Sequence, residues 1–72
     1  MDRYKNLGND SGISYYQIED ESISIWFKGN SKIYSYSYIR AGQAHVENMK
    51  QLAANGRGLN SYINRYVKHL YD

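Results

Sequence analysis

The sequence predicts an α+β fold: a three-stranded antiparallel β-meander covered on one face by a C-terminal helical hairpin, in the order β-β-β-α-α. Three observations predict it. Residues 32–39 read Lys-Ile-Tyr-Ser-Tyr-Ser-Tyr-Ile, so Tyr34, Tyr36 and Tyr38 share one face of a strand. Leu59, Tyr62, Ile63, Tyr66, Val67 and Leu70 recur at i, i+3, i+4, i+7, i+8 and i+11, the stripe of an amphipathic helix. The connections before residue 39 are short, whereas a parallel return needs a crossover of about a dozen residues.

The elements follow in order. Residues 1–12 form a flexible leader, because Asn6, Gly8, Asn9, Asp10, Ser11 and Gly12 disfavour regular structure. Tyr4 and Leu7 are its apolar handles. Residues 13–72 make one domain. Ile13 to Ile18 is a first strand, rich in β-branched and aromatic residues. Glu19, Asp20 and Glu21 make a polar turn. In residues 22–28, Ile23, Ile25 and Phe27 alternate with Ser22, Ser24, Trp26 and Lys28. Gly29-Asn30 is a two-residue hairpin signal. That loop sets Ile25 opposite Tyr34 and Ile23 opposite Tyr36, so the tyrosine row shares the core face with the Ile/Phe row. A Glu19-Asp20 loop adds Tyr16 and Ile18 to that face. Val46, Met49, Leu52 and Ala53 define a first helix within residues 41–55. Asn55-Gly56 stops it, with Gly taking the left-handed position. Arg57-Gly58 completes a tight turn into the last helix, whose wet side carries Asn60, Asn64, Arg65 and Lys68.

Seventy-two residues bury only about 60% of their unfolded surface, so the core is thin. Nine tyrosines, one Trp and one Phe suit a small core without disulfides; there is no cysteine. Asp2, Arg3 and Lys5 follow Met1 without an apolar run, and no stretch approaches the roughly 18 apolar residues of a membrane span. A soluble, cytoplasmic protein without membrane partners is expected. The formal charge of +2 is too small to imply nucleic acid by itself. From Arg40 onward, five basic residues (Arg40, Lys50, Arg57, Arg65, Lys68) face two acidic ones (Glu47, Asp72).

The second sheet face carries Ile13, Tyr15, Gln17, Ser22, Ser24, Trp26, Lys28, Ile33, Ser35, Ser37 and Ile39. Tyr15, Trp26 and Ile33 stand out among its small and polar residues. Three readings are open. The leader folds back, with Tyr4 and Leu7 over Trp26; or the face is a protein interface, where Trp and Tyr are enriched; or the indole and phenol beside Lys28 stack nucleobases. Gly56-Arg57-Gly58 opens the last helix, where free N–H groups and Arg57 suit a phosphate, although the turn alone explains the glycines. Arg65 and Lys68 lie one turn apart and extend a basic surface. His45 and His69 have no cysteine or spaced carboxylate to complete a metal set, and no catalytic group or cofactor motif emerges. The chain reads as non-enzymatic.

With these elements placed, the pattern resembles the KTSC domain, a short module at the C-terminus of some bacterial lysyl-tRNA synthetases and also a stand-alone protein. The resemblance covers roughly Ile13 to Tyr71. It rests on Ile23-x-Ile25-x-Phe27 with Gly29, on Tyr34-Ser35-Tyr36 with Ile39, and on Ala53, Gly56, Leu59-Asn60, Ile63 and Tyr71. Where the family has a proline after the third strand, Arg40 stands here, which bears on the start of the first helix. The resemblance implies RNA contact through the attachment to a tRNA synthetase, an analogy at the level of the family. The candidate contact residues are Tyr15, Trp26, Lys28, Arg57, Arg65 and Lys68. Tyr34, Tyr36, Gly56 and Asn60 are motif residues with a structural reading. RNA is the expected partner; the alternative is a protein partner or a second copy using the face around Trp26.

Overall fold

The computed structural model describes residues 1–8 and 12–72. It is α+β, with a four-stranded antiparallel sheet in the order β1-β2-β3-β4 and a helical layer on one face. The strands are β1 (Asp2–Arg3), β2 (Ile13–Glu19), β3 (Ser22–Phe27) and β4 (Ile33–Ser37). The helices are α1 (Gln43–Asn55) and α2 (Leu59–Tyr62), the latter running straight into a π-helical segment, Ile63–Val67.

The expectation of three strands is corrected to four. Asp2 and Arg3 pair with Tyr16 and Tyr15 on the outer edge of β2. Neither residue favours strands, so the pairing comes from the unsatisfied backbone edge of β2 rather than from local propensity. Over residues 2–7 the leader is therefore docked, not loose. Tyr4 is buried, with the Tyr4 amide donating to the Ser14 carbonyl at 2.9 Å and the Leu7 amide donating to the Gly56 carbonyl at 2.7 Å. Asn9, Asp10 and Ser11 of the expected leader lie outside the described residues.

The β3–β4 register is the one the alternation predicts: Ile23 opposite Tyr36 and Ile25 opposite Tyr34. The loop is longer than Gly29-Asn30, since pairing ends at Trp26 and Ile33, but its parity is the same. Gly29 supplies the positive φ of the turn, 72°. In β2, Tyr16 faces Ile25 and Ile18 faces Ile23, on the expected face though shifted along it. Ile18 is 41% exposed because the sheet outruns its helical cover there. A bulge between Ile13 and Tyr15 changes the assignment of Ile13. The extra residue, Ser14, turns Ile13 into the core opposite Phe27, where it is 1% exposed, rather than onto the open face.

The core lies between sheet and helices. Ile23, Ile25 and Tyr36 meet Val46, Met49 and Ala53 of α1, Leu59 of α2, and Ile63 and Val67 of the π-helical segment. α1 starts at Gln43, two residues later than expected, because residues 38–41 form a turn in which the Ala41 and Gly42 amides donate to the Ser37 carbonyl. Ile39 falls in that turn and is 98% exposed. Gly56 ends α1 in the left-handed conformation, its amide bonding the Leu52 and Ala53 carbonyls. The hydroxyl of Tyr4 accepts the Leu59 amide at 3.2 Å, satisfying an orphan donor in the first turn of α2.

The last helix departs from its expected stripe. An i→i+5 ladder advances each residue through a smaller angle than an α-turn. Val67 therefore moves to the centre of the buried stripe, fully covered, while Tyr66 moves to its rim, 52% exposed. Tyr71 then turns back under the sheet, edge-on to Tyr34 with ring centroids 4.9 Å apart. The Asp72 amide donates to the Ser35 carbonyl at 2.7 Å, on the free edge of β4. No helix among the described residues is long and apolar enough to cross a membrane.

Candidate functional site

Strand pairing carries one row of side chains across the uncovered sheet face. Arg3 pairs with Tyr15, Tyr15 with Trp26, and Trp26 with Ile33. Paired residues in an antiparallel sheet point the same way, so Arg3, Tyr15, Trp26 and Ile33 form a continuous stripe. Tyr15 is 39% and Ile33 49% exposed, and Trp26 is half-buried. Lys28 follows Trp26 by two residues and stays on the same face; its amide donates to the Gly12 carbonyl at 2.7 Å. Around the stripe the face is small and hydroxylic, with Ser24 and Ser35 bonded through their Oγ atoms at 2.9 Å.

Beside the stripe lies a groove of about 390 Å³, whose lining includes Arg3, Lys5, Asn6, Ser14, Tyr15 and Lys28. Three cations from two segments, Arg3 and Lys5 of the N-terminal stretch and Lys28 after β3, meet there. Among the described residues, the sole ion pair joins Lys50 and Glu47, elsewhere on the molecule, so these cations have no carboxylate partner in that set. Such a surface can stack planar rings on Tyr15 and Trp26 while Arg3, Lys5 and Lys28 take phosphates.

The expected contact residues divide into groups. Tyr15, Trp26 and Lys28 are brought together. Arg57 is exposed in the turn between α1 and α2; the preceding Gly56 packs against Lys5, so this turn borders the groove's N-terminal wall. Arg65 and Lys68 are exposed on the helical layer, across the sheet from Trp26, and line a groove with Tyr66 and His69. The six residues do not form one surface. Tyr4 does not cover Trp26 either, since its ring enters the core on the helix side and its hydroxyl reaches Leu59.

The motif residues hold structural positions. Tyr36 is 1% exposed, and burial, reinforced by the neighbouring Tyr34 and Tyr71 phenols, pushes its phenol up to about 12. Gly56 caps α1, and Asn60 is half-buried in α2. Tyr38 donates to Glu47 Oε2 at 2.5 Å; that hydrogen bond, then burial and the nearby carboxylates, raises its phenol to about 12. The same bond, with Lys50, holds the Glu47 carboxyl below its ordinary value. Burial and Asp2 raise Tyr16. These shifts belong to the seam between sheet and helices, not to the open stripe. Among the described residues no group of three His, Asp or Glu side chains is placed to hold a metal.

Sequence reasoning missed Arg3 and Lys5. Their signal was Tyr4 between them: an apolar residue in a polar segment that docks must carry its neighbours to the surface beside it. Comparison of the chain with protein-family models, with curated proteins and with solved structures finds no match.

Proposed function

We propose that this chain is a small non-enzymatic accessory module that contacts single-stranded RNA through its open sheet face. The observation that carries the reading is the cross-strand row Arg3–Tyr15–Trp26–Ile33 flanked by Lys28, on a face that no described element covers. Tyr15 and Trp26 offer stacking surfaces, and Arg3, Lys5 and Lys28 neutralise phosphates. We propose also that the chain is a KTSC-like domain. Its Tyr34-x-Tyr36 and Gly56 serve the scaffold, and the contact surface lies outside the motif.

Titration of a fluorescent single-stranded oligoribonucleotide at two salt concentrations tests this. Base–aromatic stacking is worth about 1–3 kcal/mol per base, so Trp26→Ala weakens binding by about 5- to 150-fold. Each phosphate contact contributes roughly −0.7 to the slope of log K against log salt, so Lys28→Ala flattens that slope by about 0.7. Absence of binding at low salt ends the proposal. A Trp26-dependent dimer in light scattering, without RNA binding, assigns the same stripe to a second copy of the chain instead, Ile33 supplying the apolar contact.

A further inference from the structure

A second groove, of about 310 Å³, opens on the helix side of the sheet, where the β3–β4 connection meets the end of the π-helical segment. One wall is aromatic. Phe27 and Tyr34 pack edge-to-face with centroids 5.4 Å apart, and Tyr34 packs the same way on Tyr71 at 4.9 Å. Basic side chains join this wall. Lys68 and His69 line the groove, and the Lys32 ammonium rests 5.0 and 5.2 Å from the Tyr34 and Tyr71 ring centres. No carboxylate lines the groove among the described residues. Asp72 follows Tyr71 directly, but its carboxylate is held by Ser37 Oγ at 2.9 Å.

We propose that this groove binds a nucleoside monophosphate, either free or as the phosphorylated terminus of a strand. Its volume lies at the lower end of the range for small-ligand sites, about 300–1,000 Å³. The base packs at the Phe27 end of the wall, and the phosphate lies between Lys68, His69 and Lys32, whose ammonium stays over Tyr34 and Tyr71. An aromatic wall also attracts ammonium ligands. Here that position is already taken by Lys32, and the remaining rim is basic, so the unmet demand is for an anion attached to a planar ring. Lys32 and Lys68 come from two independent elements, the β3–β4 connection and the end of the last helix, and no acidic side chain lines the groove among the described residues. This site is separate from the stripe around Trp26, on the other face of the sheet, and stands or falls independently of it.

Amide shift mapping of the ¹⁵N-labelled protein tests the proposal, with adenosine 5′-monophosphate, adenosine, inorganic phosphate, and 5′-phosphorylated and 5′-hydroxyl oligoribonucleotides as probes. The expected result is a saturable shift of Phe27, Tyr34, Lys68, His69 and Tyr71 with the monophosphate, unchanged in Trp26→Ala. Losing one charged contact weakens it about tenfold in Lys68→Ala. Adenosine and phosphate alone each bind more weakly than their combination. Shifts with the free monophosphate identify a nucleotide site. Shifts confined to the 5′-phosphorylated oligomer identify a strand-terminus site. No saturable shift with either at millimolar concentration overturns the proposal. So does phosphate binding as tightly as the monophosphate, or a response confined to Tyr15 and Trp26.

Discussion

The two glycines flanking Arg57 give a controlled measurement of how firmly the N-terminal segment is strapped to the helices. Both adopt the left-handed conformation, with φ of 75° at Gly56 and 83° at Gly58. A Cβ there costs about 1–2 kcal/mol in backbone strain, offset by about 0.4–1 kcal/mol because alanine restricts the unfolded chain. Their surroundings differ. A Cβ on Gly58 meets Leu52 Cδ2 at 3.6 Å, an ordinary contact. A Cβ on Gly56 lies 2.7 Å from Lys5 Cβ and 3.5 Å from Leu7 Cγ, so the strap must move. Overpacking of this kind adds about 1–3 kcal/mol. Gly58→Ala is therefore expected to lose about 1 kcal/mol and Gly56→Ala about 2–4 kcal/mol in urea denaturation. At 4–8 °C per kcal/mol for a domain of this size, that gap separates the two melting temperatures by at least about 4 °C. In Gly56→Ala the Leu7 amide, which bonds the Gly56 carbonyl, also loses exchange protection. Lys5→Gly removes the opposing Cβ, so it recovers part of the loss when combined with Gly56→Ala. Equal losses for the two single variants would mean that the strap is not packed on the turn.

Three further outcomes are expected. Trp26→Ala, on the open face, costs about 1 kcal/mol in urea denaturation, whereas Ile25→Ala, one residue away and fully buried, costs about 2–5 kcal/mol; equal costs would place the indole in the core. The Tyr36 phenol is pushed up to about 12 in the folded protein against an ordinary 10, so its neutral form favours the fold; stability is intact below pH 10 and falls as pH rises from 10 through 12, and a phenolate absorbance titration shows a late step, shared with Tyr38, whose amplitude drops in Tyr36→Phe. Tyr38→Phe removes the first cause of the lowered Glu47 carboxyl, so the Glu47 midpoint in a carboxyl NMR titration moves up toward 4.5, and the stability that Glu47 loses on acidification below 4.5 becomes smaller.

The parts of the fold legible in the sequence are those where one periodicity governs one element. Ile23, Ile25 and Phe27 against Tyr34 and Tyr36 specify both the faces and the register of β3 and β4, because a slip of one residue would expose the whole row. The Gly56 stop was legible because few residues accept its conformation. The rest depends on partners. Asp2 and Arg3 become a strand because β2 offers an open edge, which no property of these two residues announces. The bulge at Ser14 is fixed by two contacts, the Ser14 hydroxyl on the Trp26 carbonyl at 3.1 Å and the Tyr4 amide on the Ser14 carbonyl. Alternation alone runs straight through it. The π-helical segment preserves Leu59, Ile63 and Val67 as a buried line, so the α-periodicity was nearly right and misplaced chiefly Tyr66. In the site, Trp26, Tyr15 and Lys28 followed from strand parity. Arg3 and Lys5 did not, because their place depends on β1.

A net charge of +2 conceals a strong separation that the meander creates. Glu19, Asp20 and Glu21 cluster at the β2–β3 turn, and Ser37, at the same end, holds the Asp72 carboxylate. Lys50 reaches that end as well, donating to the Asp20 carbonyl at 2.8 Å while pairing with Glu47. Reversing direction at each turn puts Lys28 and Lys32 at the opposite end of the sheet, and β1, antiparallel to β2, delivers Arg3 and Lys5 there too. Among the described residues, Glu19, Asp20, Glu21, Glu47 and Asp72 thus lie at one end, where Lys50 and Arg40 also sit, and Arg3, Lys5, Lys28 and Lys32 are left together at the other. A field of this shape steers an anion toward the basic end before any specific contact forms. Both the stripe around Trp26 and the groove under Tyr34 open at that end, one on each side of the sheet. The same topology that buries Ile23, Ile25 and Tyr36 therefore determines where an anionic partner can approach.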